Sequence, residues 1–159
     1  MTPEALGRYV TITAYVDASY ATNEVTRWSH TGFIIFLNRP PTIWFTKRQN
    51  TVEASTFSNE FVAAKCCVEH IIVLRFKSQM FGVPIDNTAK DFCDNKSLVK
   101  NSLILPSTLN RTHSSTTYHS VRRAVSASII KFAWIDTNYN LADTITKQLT
   151  GETFMKFFP

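Results

Sequence analysis

Four carboxylic acids occupy positions at which predicted strands end or predicted helices begin. They are Asp17 in YVDAS, Glu60 in SNEFV, Asp94 in FCDN and Asp143 in NLADTITK. Ligands of α/β sheets gather at the carboxyl ends of strands, so we expect these four side chains to converge. Taken singly, Asp94 and Asp143 are also typical of helix caps and Asp17 of a turn, but one shared site explains all four placements together.

Carboxylates in such a cluster repel one another, and the cations that would relieve this repulsion indicate what chemistry the site performs. Two unit charges about 5 Å apart repel by roughly 3 kcal/mol at an effective dielectric constant of about 20, so the cluster requires cations or protonation. Ligands that are oxygen alone favour Mg²⁺ or Mn²⁺ over zinc. Two such ions, roughly 3.5–4 Å apart, activate a water and stabilise the leaving oxygen of a phosphoryl displacement. The acids therefore predict a site for two Mg²⁺ ions, which Mn²⁺ can replace, without a small-molecule cofactor.

The charge of the chain is unevenly distributed. Lys and Arg number 17 against 12 Asp and Glu, and the sequence pI is about 9.2. No acidic residue lies between Asp94 and Asp136, whereas six basic residues do: Lys96, Lys100, Arg111, Arg122, Arg123 and Lys131. A basic surface can serve solubility alone, but an acid-free block of this length favours a polyanionic partner.

The period of the apolar residues predicts the elements that position the acids. The predicted strands cover residues 10–16, 32–37, 42–47, 89–93 and 129–135, and the predicted helices cover 58–81, 95–103, 113–127 and 140–158. Residues 17–31 are predicted to be a turn or loop, and Ser58 to be the N-cap of the first helix. Because crossovers place strands parallel, the predicted fold class is α/β, with a mixed five-stranded sheet flanked by helices. We expect one domain over residues 1–159, with a core from about 10 to 149.

Ten residues outside the acid cluster are candidate nucleic-acid contacts. They are Arg27, Trp28, Ser29, Thr31, Asn95, Arg111, His113, His119, Arg122 and Arg123. Ser29 and Thr31 could donate hydrogen bonds to phosphate or sugar, or their hydroxyl groups could cap a turn, and both interpretations stay open. The two histidines are expected to face phosphate or to pack rather than to act as a general base. Trp44 and Trp134, by contrast, lie within predicted strands and are expected in the core.

Composition excludes several classes of protein. A hydrophobic content of 44% excludes a disordered chain, and no apolar run approaches the roughly 18–20 residues of a membrane span, so we expect no membrane partner. The N-terminal segment MTPEALGRYV has no apolar signal core, which predicts an intracellular protein. Three cysteines cannot pair evenly, and free thiols in a reducing compartment are expected.

The order and spacing of several segments resemble one known family. YVDAS, STFSNEFVAA, FCDNKSLVKN and NLADTITKQL contain the four acids, and HTGFIIFLN, IWFTKRQNTVEAS and THSSTTYHSVRRAV lie between them. Together they resemble the ribonuclease H domain of copia-type (Pseudoviridae) retrotransposon polyproteins. The resemblance runs from about Val10 to Leu149, and seven segments in the same order are far more specific than any one of them.

The resemblance implies a fold, an activity and a set of partners. It implies a ribonuclease H fold, a four-acid active site made of Asp17, Glu60, Asp94 and Asp143, and two metal ions. It implies hydrolysis of the RNA strand of RNA–DNA hybrids, in which recognition uses 2′-hydroxyls and A-like shape. A reverse transcriptase domain of the same polyprotein is an expected partner, and cytoplasmic retrotransposon particles are the expected location.

The chain also departs from the family, and two other functions are alternatives. Gln148 stands where the family usually has proline, and residues 136–140 lack the loop histidine of cellular type 1 enzymes. A ribonuclease H fold that has lost its chemistry and serves as a binding or connector module is the first alternative, which the intact set of four acids disfavours. A transposase or integrase core is the second, but there the glutamate follows the other acids, whereas Glu60 precedes Asp94.

Overall fold

A five-stranded sheet in the order β3-β2-β1-β4-β5 organises the computed structural model, which describes residues 4–19, 28–50, 55–86, 88–103, 115–147 and 150–157. Its strands are β1 (Ile12–Ser19), β2 (His30–Leu37), β3 (Pro41–Arg48), β4 (Ala89–Cys93) and β5 (Ile130–Trp134). The pairs β1–β2 and β2–β3 are antiparallel, and β1–β4 and β4–β5 are parallel. The predicted mixed sheet is therefore confirmed, including the change from hairpins to crossovers.

The turn between β2 and β3 follows from its residues. Asn38 adopts a φ of 58°, a conformation that asparagine tolerates better than most residues. Its side-chain Oδ1 accepts a hydrogen bond from the backbone N–H of Thr11 at 3.0 Å. Pro40 follows, where its fixed φ favours a reversal of the chain. The tight connection makes the predicted antiparallel hairpin.

The longest helix contributes more buried residues to the core than any other helix of the described chain. The helices are α1 (Thr56–Met80), α2 (Lys96–Leu103), α3 (Ser115–Ser126), α4 (Asp143–Thr146) and α5 (Gly151–Phe157). Phe61, Val68 and Ile71 of α1 are buried in the same cluster as Val16 of β1 and Phe33 of β2. Tyr118 of α3 completes this core through an aromatic contact with Phe61. Within the described residues, no helix is both long and apolar enough to span a membrane.

Several predicted boundaries were wrong. Strand β1 continues to Ser19 and strand β2 already begins at His30. Both ends of the predicted loop at 17–31 therefore belong to the sheet. The N-cap of α1 is Ser55, whose side chain accepts from the backbone N–H of Ser58 at 3.2 Å. In place of one predicted terminal helix at 140–158, the structure has the two short helices α4 and α5, and a 3-10 turn at Thr137–Tyr139 precedes them.

Two tryptophans predicted in the core lie at the surface. Trp44 is 69% exposed because its neighbours Ile43 and Phe45 face inward from β3, and side chains alternate along a strand. Trp134 is 46% exposed at the last residue of β5. Lys96 packs over its ring, 4.4 Å from the ring centre. The three cysteines are free, as predicted.

Candidate active site

Parallel pairing of β1 and β4 brings two of the acids to one edge of the sheet. Asp17 lies near the carboxyl end of β1 and Asp94 directly follows β4. Glu60 enters from the first turns of α1, which packs on β1 and β2. One carboxylate oxygen from each of Asp17, Glu60 and Asp94 lies within 4.8 Å of the other two. These three residues are called the acid triad below.

The fourth acid adjoins the triad through a lysine. Asp143 is the first residue of α4, and Lys147 follows the end of that helix. The Lys147 Nζ lies 2.9 Å from Asp143 Oδ1 and 3.4 Å from Asp17 Oδ1. The structure therefore brings all four predicted acids to one region, with Asp143 linked to the triad by Lys147.

Buried polar contacts fix α4 against the sheet. Asn140, which is fully buried, donates from Nδ2 to the carbonyl of Val16 at 3.1 Å. The Thr146 hydroxyl donates to Asp17 Oδ2. Gly32 of β2 lies directly beneath α4, where a Cβ atom would clash with the Thr146 methyl group. A glycine is thus required on β2 for α4 to carry Asp143 close to Asp17.

Burial and mutual repulsion raise the pKa values of Glu60, Asp143 and Asp17. Burial, followed by the charges of Asp17 and Asp94, raises the pKa of Glu60 to about 9. Burial, followed by the charge of Asp17, raises the pKa of Asp143 to about 6. Burial also raises the pKa of Asp17, although Lys147 and the Thr146 hydroxyl oppose the change. Without metal, Glu60 therefore holds a proton at neutral pH.

The donor set fits a divalent cation bound by oxygen. Glu60 Oε2 is buried and has no hydrogen-bond partner. One oxygen of the Glu60 carboxyl group lies within 4.8 Å of an oxygen of Asp17 and of Asp94, close enough for one cation to bind all three. An unsatisfied buried carboxylate oxygen is costly, and a cation would satisfy it. The triad contains neither cysteine nor histidine, so hard ions such as Mg²⁺ and Mn²⁺ suit it better than zinc.

The structure places the predicted contacts near β2 and α2 in different environments. Trp28 is half-buried, with the Arg48 guanidinium 4.6 Å from its ring centre. Ser29 and Thr31 are only 3% and 4% exposed, and the Thr31 hydroxyl accepts from Gln49 Nε2 at 3.0 Å. Asn95 is the N-cap of α2, since its Oδ1 accepts from the backbone N–H of Leu98 at 3.1 Å.

The basic helix α3 brings three more predicted contacts together. His119, Arg122 and Arg123 line one groove between α3 and the end of α2. His119 and Arg123 are exposed, whereas Arg122 is half-buried with its guanidinium 5.2 Å from the ring centre of Tyr118. Arg27, Arg111 and His113 lie outside the described residues.

The sequence interpretation missed four polar residues that touch the predicted site residues. Lys147 and Thr146 contact Asp17, the Thr137 hydroxyl donates to Asp94 Oδ2 at 2.9 Å, and Gln49 holds Thr31. Only Lys147 had a signal in the sequence, because it lies four residues after Asp143, a spacing that brings side chains together on a helix. The other three contacts join segments that are far apart in the chain.

A fifth acid, Asp91, was also missed, and it lies in the core rather than at the site. It is fully buried on β4, and neither of its carboxylate oxygens completes a well-formed hydrogen bond, although the Cys67 thiol is close enough to interact. Burial raises the pKa of Asp91 to about 7. Because the ionised carboxylate is poorly solvated there, Asp91 opposes folding once it ionises.

Replacing Asp91 with Asn is expected to change how stability depends on pH. Between about pH 4 and 7 the folded protein holds a proton on Asp91 that the unfolded chain releases, so stability falls as pH rises and levels off above 7. The loss is on the order of 4 kcal/mol for a shift of this size. Urea unfolding at about pH 5 and about pH 8 should show a smaller decline for Asp91→Asn than for the parent. An Asp86→Asn control should keep the parental decline, and equal declines in all three proteins would contradict the account.

Comparisons with known proteins show which sequences and folds this chain resembles. No family model matches the chain. Two Arabidopsis thaliana proteins, the retrovirus-related Pol polyproteins from transposons RE2 and RE1, are each 24% identical to it over 153 residues. The alignments cover 95% of this chain and 10% of each relative, so the chain spans about a tenth of the length of these polyproteins.

Solved structures match the fold over nearly the whole chain. The N-terminal RNase H domain of Rv2228c from Mycobacterium tuberculosis superposes with a TM-score of 0.66 at 12% identity, covering 93% of this chain and 99% of that one. LC11-RNase H1 in complex with an RNA/DNA hybrid has a TM-score of 0.62 at 15% identity, covering 94% and 100%. The protease-reverse transcriptase of prototype foamy virus has a TM-score of 0.53 at 13% identity, covering 92% of this chain and 22% of that one.

These structural matches show that the chain has the ribonuclease H fold. Its acids gather at the carboxyl edge of the sheet. More particularly, its sequence is similar to a stretch that makes up about a tenth of two retrovirus-related Pol polyproteins from transposons. The resemblance found in the sequence motifs is thereby confirmed.

Proposed function

We propose that this chain hydrolyses the RNA strand of RNA–DNA hybrids by two-metal-ion catalysis. The observation that carries the proposal is the convergence of Asp17, Glu60 and Asp94 within 4.8 Å, with Asp143 adjoining them, at one edge of a ribonuclease H fold. The cations would supply an activated water and stabilise the leaving oxygen when they are bound. Mg²⁺ is the proposed ion, with Mn²⁺ able to replace it.

Each acid has a proposed part in this chemistry. Glu60, Asp94 and Asp17 would hold one ion, since their oxygens already approach one another. Asp17 and Asp143 would hold the second, because Asp17 adjoins both groups. Glu60 would release its proton on binding metal, since a cation stabilises the ionised carboxylate. Thr137 and Thr146 would orient Asp94 and Asp17 through their hydroxyl hydrogen bonds.

Substrate binding would rest on charge and shape. His119, Arg122 and Arg123 form the proposed phosphate-binding groove of α3, and Trp28 with Arg48 forms a second contact near the start of β2. Most protein–nucleic acid hydrogen bonds go to the backbone, and a hybrid is recognised through its A-like shape and 2′-hydroxyls. One structural neighbour is a ribonuclease H1 in complex with an RNA/DNA hybrid, which supports a hybrid as the partner.

The relatives support a setting for this activity. Their descriptions as Pol polyproteins, and a structural neighbour that is a protease-reverse transcriptase, support a reverse transcriptase domain as a partner of this chain. We therefore propose that it removes RNA from the hybrids that reverse transcription makes, in the cytoplasm and within retrotransposon particles.

The proposed activity is expected to require a divalent cation. Labelled RNA–DNA hybrid should be cut with Mg²⁺ or Mn²⁺ and left intact with EDTA, whereas single-stranded RNA, duplex RNA and duplex DNA should survive. Mg²⁺ should also raise the melting temperature, because it binds the folded site and relieves carboxylate repulsion. Ca²⁺ should bind but support little cleavage, since its looser coordination misplaces the water.

Two results of this assay would contradict the proposal in different ways. If millimolar Mg²⁺ leaves the melting temperature of the protein unchanged and the hybrid uncut, the proposal of a metal site is wrong. A protein that binds hybrid tightly in Mg²⁺ without cutting it would support the alternative of a binding or connector module.

A further inference from the structure

We infer that Lys147 is a built-in counter-ion that occupies the second cation position until substrate arrives, so that the free protein binds only one divalent ion. The inference rests on the proposed two-metal function and assigns a role to a residue beyond the four acids. Its starting observation is the position of one ammonium group between two acids that come from different elements, Asp17 on β1 and Asp143 on α4.

The lysine engages the same oxygens that a metal ion would need. Its Nζ lies 2.9 Å from Asp143 Oδ1 and 3.4 Å from Asp17 Oδ1. Mg²⁺ requires oxygen ligands at about 2.0–2.1 Å in near-octahedral geometry. An ammonium group and a Mg²⁺ ion therefore cannot both lie between these two carboxylates. The two states of the site differ in which cation neutralises Asp17 and Asp143.

The lysine can leave this position because it reaches in from solvent. Its side chain is 35% exposed, whereas the side chains of Asp17 and Asp143 are 2% and 8% exposed. The backbone supports this arrangement, since Lys147 has already left the helical conformation, with φ −123° and ψ 149°. The four-carbon side chain can thus swing outward without any change in α4, and the acids stay in place.

Glu60 of the acid triad differs from Asp17 and Asp143 in its partners. Glu60 Oε2 is buried without a hydrogen-bond partner, and the two ion pairs of Lys147 go to Asp17 and Asp143 rather than to Glu60. The protein's own ammonium group therefore lies on the Asp17–Asp143 side, and we expect a divalent ion to bind first on the side of Glu60 and Asp94. A phosphodiester brought to the site is an anion that can attract the ammonium away from the carboxylates. Binding of the second ion would then depend on substrate.

Metal titration without nucleic acid tests this inference directly. Isothermal titration calorimetry with Mn²⁺, together with counting of bound Mn²⁺ by electron paramagnetic resonance, should give one ion for the parent protein. Lys147→Gln should bind a second ion, or bind Mn²⁺ at least about tenfold more tightly, because the competing cation is gone. Lys147→Arg keeps the charge and should behave as the parent.

Metal-free stability provides a second readout. Lys147→Gln should melt roughly 3 °C below the parent in EDTA, since Asp17 and Asp143 lose their counter-ion, and Mg²⁺ should restore the difference. Lys90→Gln is the matched control, because Lys90 is exposed near the amino end of β4, away from Asp94. It removes the same charge and should change neither the ion count nor the effect of Mg²⁺.

The outcomes separate this inference from the proposed function. If the parent cuts hybrid but Lys147→Gln binds the same number of ions with the same affinity, the counter-ion role is wrong and the nuclease stands. If two ions already bind to the parent without substrate, the inference is likewise overturned. If the parent neither binds a divalent ion nor cuts hybrid, both proposals fail.

Discussion

Asp94→Asn is expected to abolish hydrolysis of RNA–DNA hybrid, with a loss of at least about a hundredfold, or on the order of 3 kcal/mol of transition-state stabilisation. The substitution keeps the shape of the side chain but removes one charge from the acid triad. Hybrid binding should survive, because it rests on phosphate contacts elsewhere. Single-turnover cleavage with saturating enzyme, beside a filter-binding assay, measures the two effects separately.

The stability of this variant distinguishes a catalytic acid from a structural one. After burial and the charge of Asp17, the charge of Asp94 also raises the pKa values of Glu60 and Asp143, so its removal should relieve repulsion. Metal-free stability should therefore hold or rise. Asp136→Asn, an exposed acid after β5, is the matched control and should keep full activity. Cleavage at the parental rate by Asp94→Asn would refute the mechanism, and an unfolded variant would make Asp94 a structural residue.

The second large effect is expected from the basic helix α3. Replacing Arg122 and Arg123 with Ala should weaken hybrid binding by about tenfold or more at low salt, roughly equally for all sequences. The slope of log affinity against log salt should flatten by about one unit for each phosphate interaction that the substitutions remove. The cleavage rate of bound hybrid should change less, because these residues line the groove of α3 and are not among the four acids. Fluorescence anisotropy between about 50 and 200 mM salt measures the slope.

Controls for this variant follow from the positions of the arginines. Arg122 packs over Tyr118, so the single variant Arg123→Ala tests the exposed charge without disturbing the core. Arg39→Ala removes an exposed arginine at the β2–β3 turn, which lies at the opposite edge of the sheet from Asp17. It should leave the salt slope unchanged. If the double variant also keeps the parental slope, this surface serves solubility alone.

Sequence patterns predicted the fold and the location of the site for a simple reason. Strand alternation, helix period and turn residues are local properties, and two parallel strands must end at the same edge of a sheet. Asp17 and Asp94, at the ends of β1 and β4, therefore had to meet. Glu60 joins them because the helix after the hairpin packs on β1.

Local patterns failed where neighbouring elements compete with them. The apolar spacing of Leu141 and Ile145 predicted one long terminal helix, but the Thr144 hydroxyl donates to the carbonyl of Leu141 and the Thr146 hydroxyl donates to Asp17. Threonines of this kind are weak helix formers, and Lys147 is extended. Trp44 was misplaced because only the register of β3 in the finished sheet decides which of its faces is covered.

The sequence by itself determined which four acids would gather and which chemistry oxygen ligands suit, because these follow from residue type and element order. Only the tertiary structure decided that Asp17, Glu60 and Asp94 form one group and that Lys147 lies between Asp17 and Asp143. The close approach of α4 over Gly32 and the buried Asn140 set the position of Asp143, and they bring Lys147 between Asp143 and Asp17. Contacts between residues as far apart in the chain as Val16 and Asn140 depend on packing of the whole sheet, and no local pattern contains that information.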